Sequence, residues 1–292
     1  MDFRNAKELL ELCRQTDLSI SEIMRQREIE QGETTGEEAD CRMAKAYEIM
    51  QQSARTPVNT PGRSMGGLIG GEAKRLSEHQ KSGKSLCGSL LGKAMMYAMA
   101  VLETNSSMGL IVAAPTAGAC GVLPAVLVPL YQAGKATEEE ILKALYTASG
   151  IGAVISFRAC IAGAAGGCQA EIGSASAMAA GALASLRGGD CKQIGHAAAM
   201  ALKNLMGLVC DPVAGLVEVP CVKRNVVGAV NAVSCADMAL AGIESRIPVD
   251  EVIDCMGEVG TRMPMELRET ALGGLAATPT GKAIKERMEQ EN

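Results

Sequence analysis

The sequence predicts a mainly α fold: a compact Ala/Gly-rich helical domain, spanning 1–292, whose Gly-rich loops converge on one site. Three observations carry this. Ser/Thr-x-x-Glu start signals recur ahead of stretches with helical apolar spacing. No run of alternating apolar and polar residues reads as a strand. The 292 residues are 48% apolar, yet they include 44 Ala and 33 Gly against no Trp, two Phe and four Tyr. Side chains this small bring backbones close, which suits tightly packed helices or backbone threaded through an interior.

Taken in order, the first 55 residues form a solvated helical layer. Leu9, Leu10, Leu12 and Cys13 make a stripe, and Ser19-x-x-Glu22 and Thr35-x-x-Glu38 are capping boxes for two further helices. Thr56 to Gly71 then changes character, with Pro57, Pro61 and five glycines, and reads either as a functional loop or as a flexible linker. Residues 72–103 are helical with an interruption at Ser82–Ser85. From Thr104 to Gly242 the small-residue core (104–242) follows. In it Thr137-x-x-Glu140 caps a helix to about Phe157, and others run from Cys168 to Leu186, Lys192 to Gly207 and Asn225 to Gly242. Gly-rich segments at 104–121, 162–168 and 207–222 interrupt these helices. Such permissive backbone is costly unless something is approached closely, so the three are expected to meet. A polar helix from Gly281 lies outside.

Composition also excludes partners. A net charge of −5, no basic cluster and almost no aromatic side chains argue against nucleic acid. Thr104 to Gly134 is 31 residues without a charge, long enough to span a bilayer, but Pro115, Pro124 and Pro129 break it, so no membrane span is expected. Eleven cysteines, an odd number, in a long chain with no apolar leader point to a reducing, cytoplasmic setting rather than a disulfide scaffold.

Reduced cysteines then serve either core filling or metal binding. Cys13, Cys41, Cys160, Cys191, Cys235 and Cys255 sit in helical patterns beside Ala, Leu or Met and read as small core hydrophobes; Cys87 and Cys120 lie next to glycine. Cys168, Cys210 and Cys221 differ. The first closes a Gly-rich turn at a helix start and the others flank prolines, settings that expose backbone N–H groups and favour the thiolate a metal wants. There is no C-x2-C pair, so spacing leaves metal binding and packing both open.

Asn105-Ser-Ser-Met-Gly-Leu-Ile-Val-Ala-Ala-Pro-Thr-Ala-Gly-Ala-Cys-Gly, Gly163-Ala-Ala-Gly-Gly-Cys-Gln-Ala-Glu-Ile-Gly-Ser-Ala and Cys210-Asp-Pro-Val-Ala-Gly-Leu-Val-Glu-Val-Pro-Cys-Val-Lys-Arg-Asn resemble the alpha chain of iron–sulfur-dependent L-serine dehydratase. The likeness spans nearly the whole chain. It implies a [4Fe–4S] cluster held by Cys168, Cys210 and Cys221, with no pyridoxal phosphate, and a separate beta chain in a heterodimer or larger assembly. It also implies dehydration and deamination of L-serine to pyruvate and ammonia, an iron with an open position acting on the substrate hydroxyl. In single-chain forms of the family a C-terminal cysteine can occupy the fourth iron. This sequence ends Gln290-Glu291-Asn292, leaving water, substrate or a partner chain for that position.

A small zwitterion suits Gly- and Ser-rich loops. Asn105, Ser106, Ser107 and Gly109 are candidate carboxylate donors, and the turn carrying Ala164 and Ala165 aims backbone N–H groups at an anion; the alternative for both is a packing turn. The catalytic base is open. Glu171, the sole acid between Arg158 and Arg187, is a candidate base or a salt-bridge partner of those arginines, and Lys74 is a weaker candidate. His79 reads as surface and His196 as a satisfied helix imidazole. The competing readings are a related lyase for L-cysteine or L-threonine and a non-catalytic helical binding protein.

Overall fold

The computed structural model describes residues 1–291, which form thirteen α-helices. The N-terminal layer comprises α1 (Ala6–Thr16), α2 (Ile20–Gln31) and α3 (Gly36–Asn59). Then come α4 (Glu72–Lys81), α5 (Ser89–Ser106), α6 (Val122–Gln132) and α7 (Glu138–Arg158). After the four-residue α8 (Gly163–Gly166) and a π-helical turn (Gln169–Gly173) follow α9 (Ser174–Leu186), α10 (Cys191–Asn204) and α11 (Cys221–Leu240). The last two are α12 (Val249–Arg262) and α13 (Pro279–Glu291). No strand occurs among the described residues, only an isolated parallel bridge between Cys210 and Arg268.

The composition explains the packing. α9 reads SASAMAAGALASL; from Ser174 to Ala184 every residue is buried, and α7, α10, α11 and α6 pack around it. Its short side chains let four neighbours approach closely. At Gly181 a Cβ would stand 2.0 Å from Ile151 Cδ1 of α7.

The capping boxes at Ser19, Thr35 and Thr137 form as expected, each with side-chain and backbone bonds in both directions. A fourth, Asp190 with Gln193, opens α10. Other boundaries differ from the sequence reading. α3 continues through Pro57 to Asn59, because the Ser53 carbonyl that proline leaves without its helical donor accepts the Thr104 hydroxyl at 2.9 Å. α11 starts at Cys221 rather than Asn225. α12 was not read from the sequence, although Pro248, two acids in its first turn and the buried stripe Val252, Ile253, Met256 and Gly260 mark it.

The uncharged stretch Thr104–Gly134 is divided into the end of α5, an irregular segment and the eleven-residue α6, in which Pro124 occupies the first turn. α7 has the length and hydropathy to cross a membrane, but over half of its apolar window is buried inside the fold. Of the cysteines read as core, Cys13 and Cys235 are buried and Cys191 partly so; Cys41, Cys160 and Cys255 are exposed, a correction to the helical-pattern reading. For Cys160 the cause is its place just beyond the end of α7.

Candidate active site

Three polar side chains bring the three Gly-rich segments together. Gln169, beside Cys168, donates to the Met256 carbonyl and accepts from the Gly207 N–H, while its own N–H donates to Leu208. Asn225, one turn into α11, accepts from the Gly121 N–H and donates to the Gly118 and Cys221 carbonyls. Arg224 reaches from α11 to the Val209 carbonyl (2.7 Å), to Asp211 (2.8 Å) and to Cys168 Sγ (3.4 Å). Buried amides and a buried ion pair are costly unless fully partnered, so these bonds fix where the segments lie.

What they enclose is a cavity of about 180 Å³ lined by Cys168, Cys210, Cys221, Glu171, Glu269 and the backbone at Thr116–Gly118. It exceeds by an order of magnitude the ~15 Å³ that admits one water. All three sulfur-bearing residues are buried. Sγ of Cys168, Sγ of Cys210 and a Glu171 carboxylate oxygen lie within 4.8 Å of one another, a group able to hold a metal.

The electrostatics fit a cation. The Cys168 thiol lies below its ordinary range, chiefly because Cys210 donates to it, with burial opposing and the Arg224 charge assisting. Cys210 is raised by that same contact and by burial, and burial pushes Cys221 up to about 12. Exposed amides alone therefore do not make three thiolates. With one guanidinium nearby, deprotonating all three needs the positive charge that bound metal supplies. Glu171 is raised by burial and by the Glu269 charge, against the pull of the Thr116 hydroxyl, which donates to Oε1 at 2.7 Å. Among the described residues no arginine pairs with it: Arg158 engages Asp254 and Asp250 instead.

The other expected residues divide. Ala164 and Ala165 are exposed on α8, whose Gly163 abuts Glu171 so closely that a Cβ would stand 2.7 Å from Oε2. Asn105, Ser106, Ser107 and Gly109 lie outside the cavity lining at the end of α5, where Ser106 donates to the Val217 carbonyl and Ser107 to that of Arg63. Lys74 is exposed on α4, away from the cavity. His79 is exposed, and His196 Nδ1 accepts from the Ser245 N–H. The 62–71 loop is no free linker. Buried Glu218, three residues before Cys221, accepts from the Ser64 hydroxyl (2.6 Å) and from the Gly66 and Leu68 N–H groups (2.7 and 3.1 Å).

Thr116, Glu218, Arg224 and Glu269 were not singled out in the sequence. Glu218 and Arg224 flank Cys221 at three residues on either side, a spacing that marks them; Glu269 follows a stretch with no helical or strand signal and carried none.

Fold and cavity define a class: an all-helical protein with a buried thiol- and carboxylate-lined group that can hold a metal. The model of the serine dehydratase alpha chain family matches residues 15–276. The chain is 49% identical over 286 residues to the probable L-serine dehydratase alpha chain of Bacillus subtilis, covering 98% of this chain and 95% of that one. It is 46% identical over 280 residues to the L-serine dehydratase alpha chain of Peptoniphilus asaccharolyticus, covering 96% of each. The L-serine dehydratase of Helicobacter pylori is 41% identical over 288 residues, which are 95% of this chain but 62% of that longer protein. This chain therefore belongs to the serine dehydratase alpha chain family.

Proposed function

We propose that the chain is the alpha subunit of an iron–sulfur L-serine dehydratase that converts L-serine to pyruvate and ammonia together with a beta chain. The observation that carries this reading is that Cys168, Cys210 and Cys221, 42 and 11 residues apart in sequence, line one cavity beside the half-buried carboxylate of Glu171. Those three thiolates are the residues to hold a [4Fe–4S] cluster. When bound, an iron without a cysteine ligand supplies a Lewis acid for the β-hydroxyl, so no pyridoxal phosphate is required.

The chain's own residues do the rest. Glu171 takes the α-proton of serine at its carboxylate, and burial, by raising its proton affinity, suits it to that task. Thr116 fixes the carboxylate through Oε1, which leaves Oε2 to receive the proton. Loss of the proton and of the β-hydroxyl as water gives 2-aminoacrylate, which tautomerises to the imine and takes up water to yield pyruvate and ammonia. Gly118 and Gly163 leave the carboxylate the room it occupies, since a Cβ at either would stand 3.0 or 2.7 Å from its oxygens.

The test is anaerobic. Purified protein with iron and sulfide restored is expected to absorb broadly in the visible and, with its beta chain, to form pyruvate from L-serine. Cys168→Ala, Cys210→Ala and Cys221→Ala are each expected to lose the absorption, the bound iron and the activity. Full absorption in all three variants overturns the ligand assignment; pyruvate formation by metal-free protein overturns the cofactor.

A further inference from the structure

Glu269 is the one charged group of the cavity wall that the chemistry above leaves without a task. It arrives on the segment after α12, and its backbone is held in a costly conformation, φ +63° in a non-glycine residue. Two bonds to one residue maintain it. The Cys210 N–H donates to the Leu267 carbonyl at 2.8 Å, and the Glu269 N–H donates to the Cys210 carbonyl at 2.7 Å. The carboxylate is thereby tied to the stretch of chain that carries one of the three thiols.

Glu269 and Glu171 meet on one side of the Gly163 backbone. A Cβ on Gly163 would stand 2.7 Å from Glu171 Oε2 and 3.1 Å from Glu269 Oε2, so absence of a side chain there lets both carboxylates reach the same space. The cavity lining contains no Lys, Arg or His. Arg224 is engaged by Asp211, Val209 and Cys168. The guanidinium of neighbouring Arg268 donates to the Ala165 carbonyl. Two carboxylates in a partly enclosed site with no cationic side chain in its wall call for a cationic ligand, and Glu269 is exposed where Glu171 is half-buried, so it is the more open of the two to an incoming group.

We propose that Glu269 is a specificity-determining residue that receives the α-ammonium group of the amino-acid substrate, restricting the site to α-amino acids over the corresponding α-hydroxy acids. This rests on the serine reading given above and names the group that recognises one end of the zwitterion. It also divides the labour between the acids: Glu269 binds the ammonium, and Glu171 stays free to take the α-proton.

The experiment compares L-serine with L-glycerate, in which a hydroxyl replaces the ammonium, using the reconstituted protein with its beta chain under anaerobic conditions. Binding is read calorimetrically and from ligand-induced change in the visible absorption. The unsubstituted protein is expected to bind L-serine at least about tenfold more tightly than L-glycerate, the scale of one charge-assisted hydrogen bond. Glu269→Gln is expected to remove that preference and raise KM for L-serine about 10- to 100-fold, with a smaller effect on kcat and ligand-free absorption unchanged. Glu269→Asp is expected to recover part of the preference. Equal affinity of the unsubstituted protein for the two ligands overturns the proposal, as does Glu269→Gln with KM unchanged or with the ligand-free absorption lost. Absence of pyruvate from the unsubstituted protein would instead sink the serine reading, and the binding comparison would still decide the role of Glu269.

Discussion

Glu171 is placed by one hydroxyl and by two residues that lack a side chain. Thr116 bonds Oε1, and at Gly118 and Gly163 a Cβ would lie 3.0 and 2.7 Å from the carboxylate oxygens. The glycines serve here as room, since neither has a left-handed φ that would require glycine for conformational reasons. Adding a methyl at Gly163 must therefore move the carboxylate, and shifts of an ångström in a reacting group cost up to about 100-fold in rate. Gly163→Ala is expected to lower kcat for L-serine by about 10-fold or more while the unfolding temperature moves little. The pairing of steady-state kinetics with thermal unfolding checks this, and an unchanged kcat would remove Glu171 from the reaction. At this scale the sequence was informative about the acid and silent about its neighbours. Glu171 stood out as the lone acid between two arginines, whereas Thr116 lies 55 residues away and nothing local announces that its hydroxyl points there.

At the scale of elements, the site is a meeting of loops whose register is set by buried carboxylates. Glu218 clamps Ser64, Gly66 and Leu68, and Glu103 accepts from the Gly71 and Ala73 N–H groups at the start of α4, so both ends of the 62–71 loop are held. The approach is close: a Cβ at Gly66 would stand 2.9 Å from Glu218 Oε1. Glu218→Ala strands a hydroxyl and two backbone N–H groups, and with a charged acceptor lost the expected cost is about 3 kcal/mol. Denaturant unfolding measures that cost, and limited proteolysis is expected to open new cleavage within 62–71. Resistance equal to that of the unsubstituted protein would show that the loop is held by its other contacts. Helix starts were legible because a capping box is local, and all three that were read form. Continuation through Pro57 was not legible, because it depends on a Thr104 hydroxyl from α5 taking the freed Ser53 carbonyl, a contact 51 residues away.

For the molecule as a whole, the excess of small residues and the placement of the cysteines are one design. α9 lies at the centre with short side chains on all sides, so α7, α10 and α11 come close to it. Cys168 precedes α9 by the π-helical turn, Cys221 opens α11, and Cys210 follows the exit of α10, so helix spacing sets thiol spacing. The convergence of Gly-rich segments could be inferred from composition; the segment after α12 that brings Glu269 could not, because its contact with Cys210 is a single backbone bridge. Central packing makes two outwardly similar substitutions differ in sign. In Gly181→Ala the new methyl meets Ile151 Cδ1 at 2.0 Å, with Ile194 Cγ2 at 3.3 Å on another side, and overpacking of this kind costs about 1–3 kcal/mol. In Gly195→Ala, on α10, the methyl meets nothing within 4 Å beyond its own stretch of helix, and the gain from replacing a helical glycine is about 0.5–1 kcal/mol. At about 2–4 °C per kcal/mol for a chain somewhat larger than the 150–250-residue range, calorimetry is expected to show the first variant melting several degrees lower and the second one or more degrees higher. Two shifts of the same sign would mean that α9 does not set the spacing, and the link from composition to thiol geometry would fail with it.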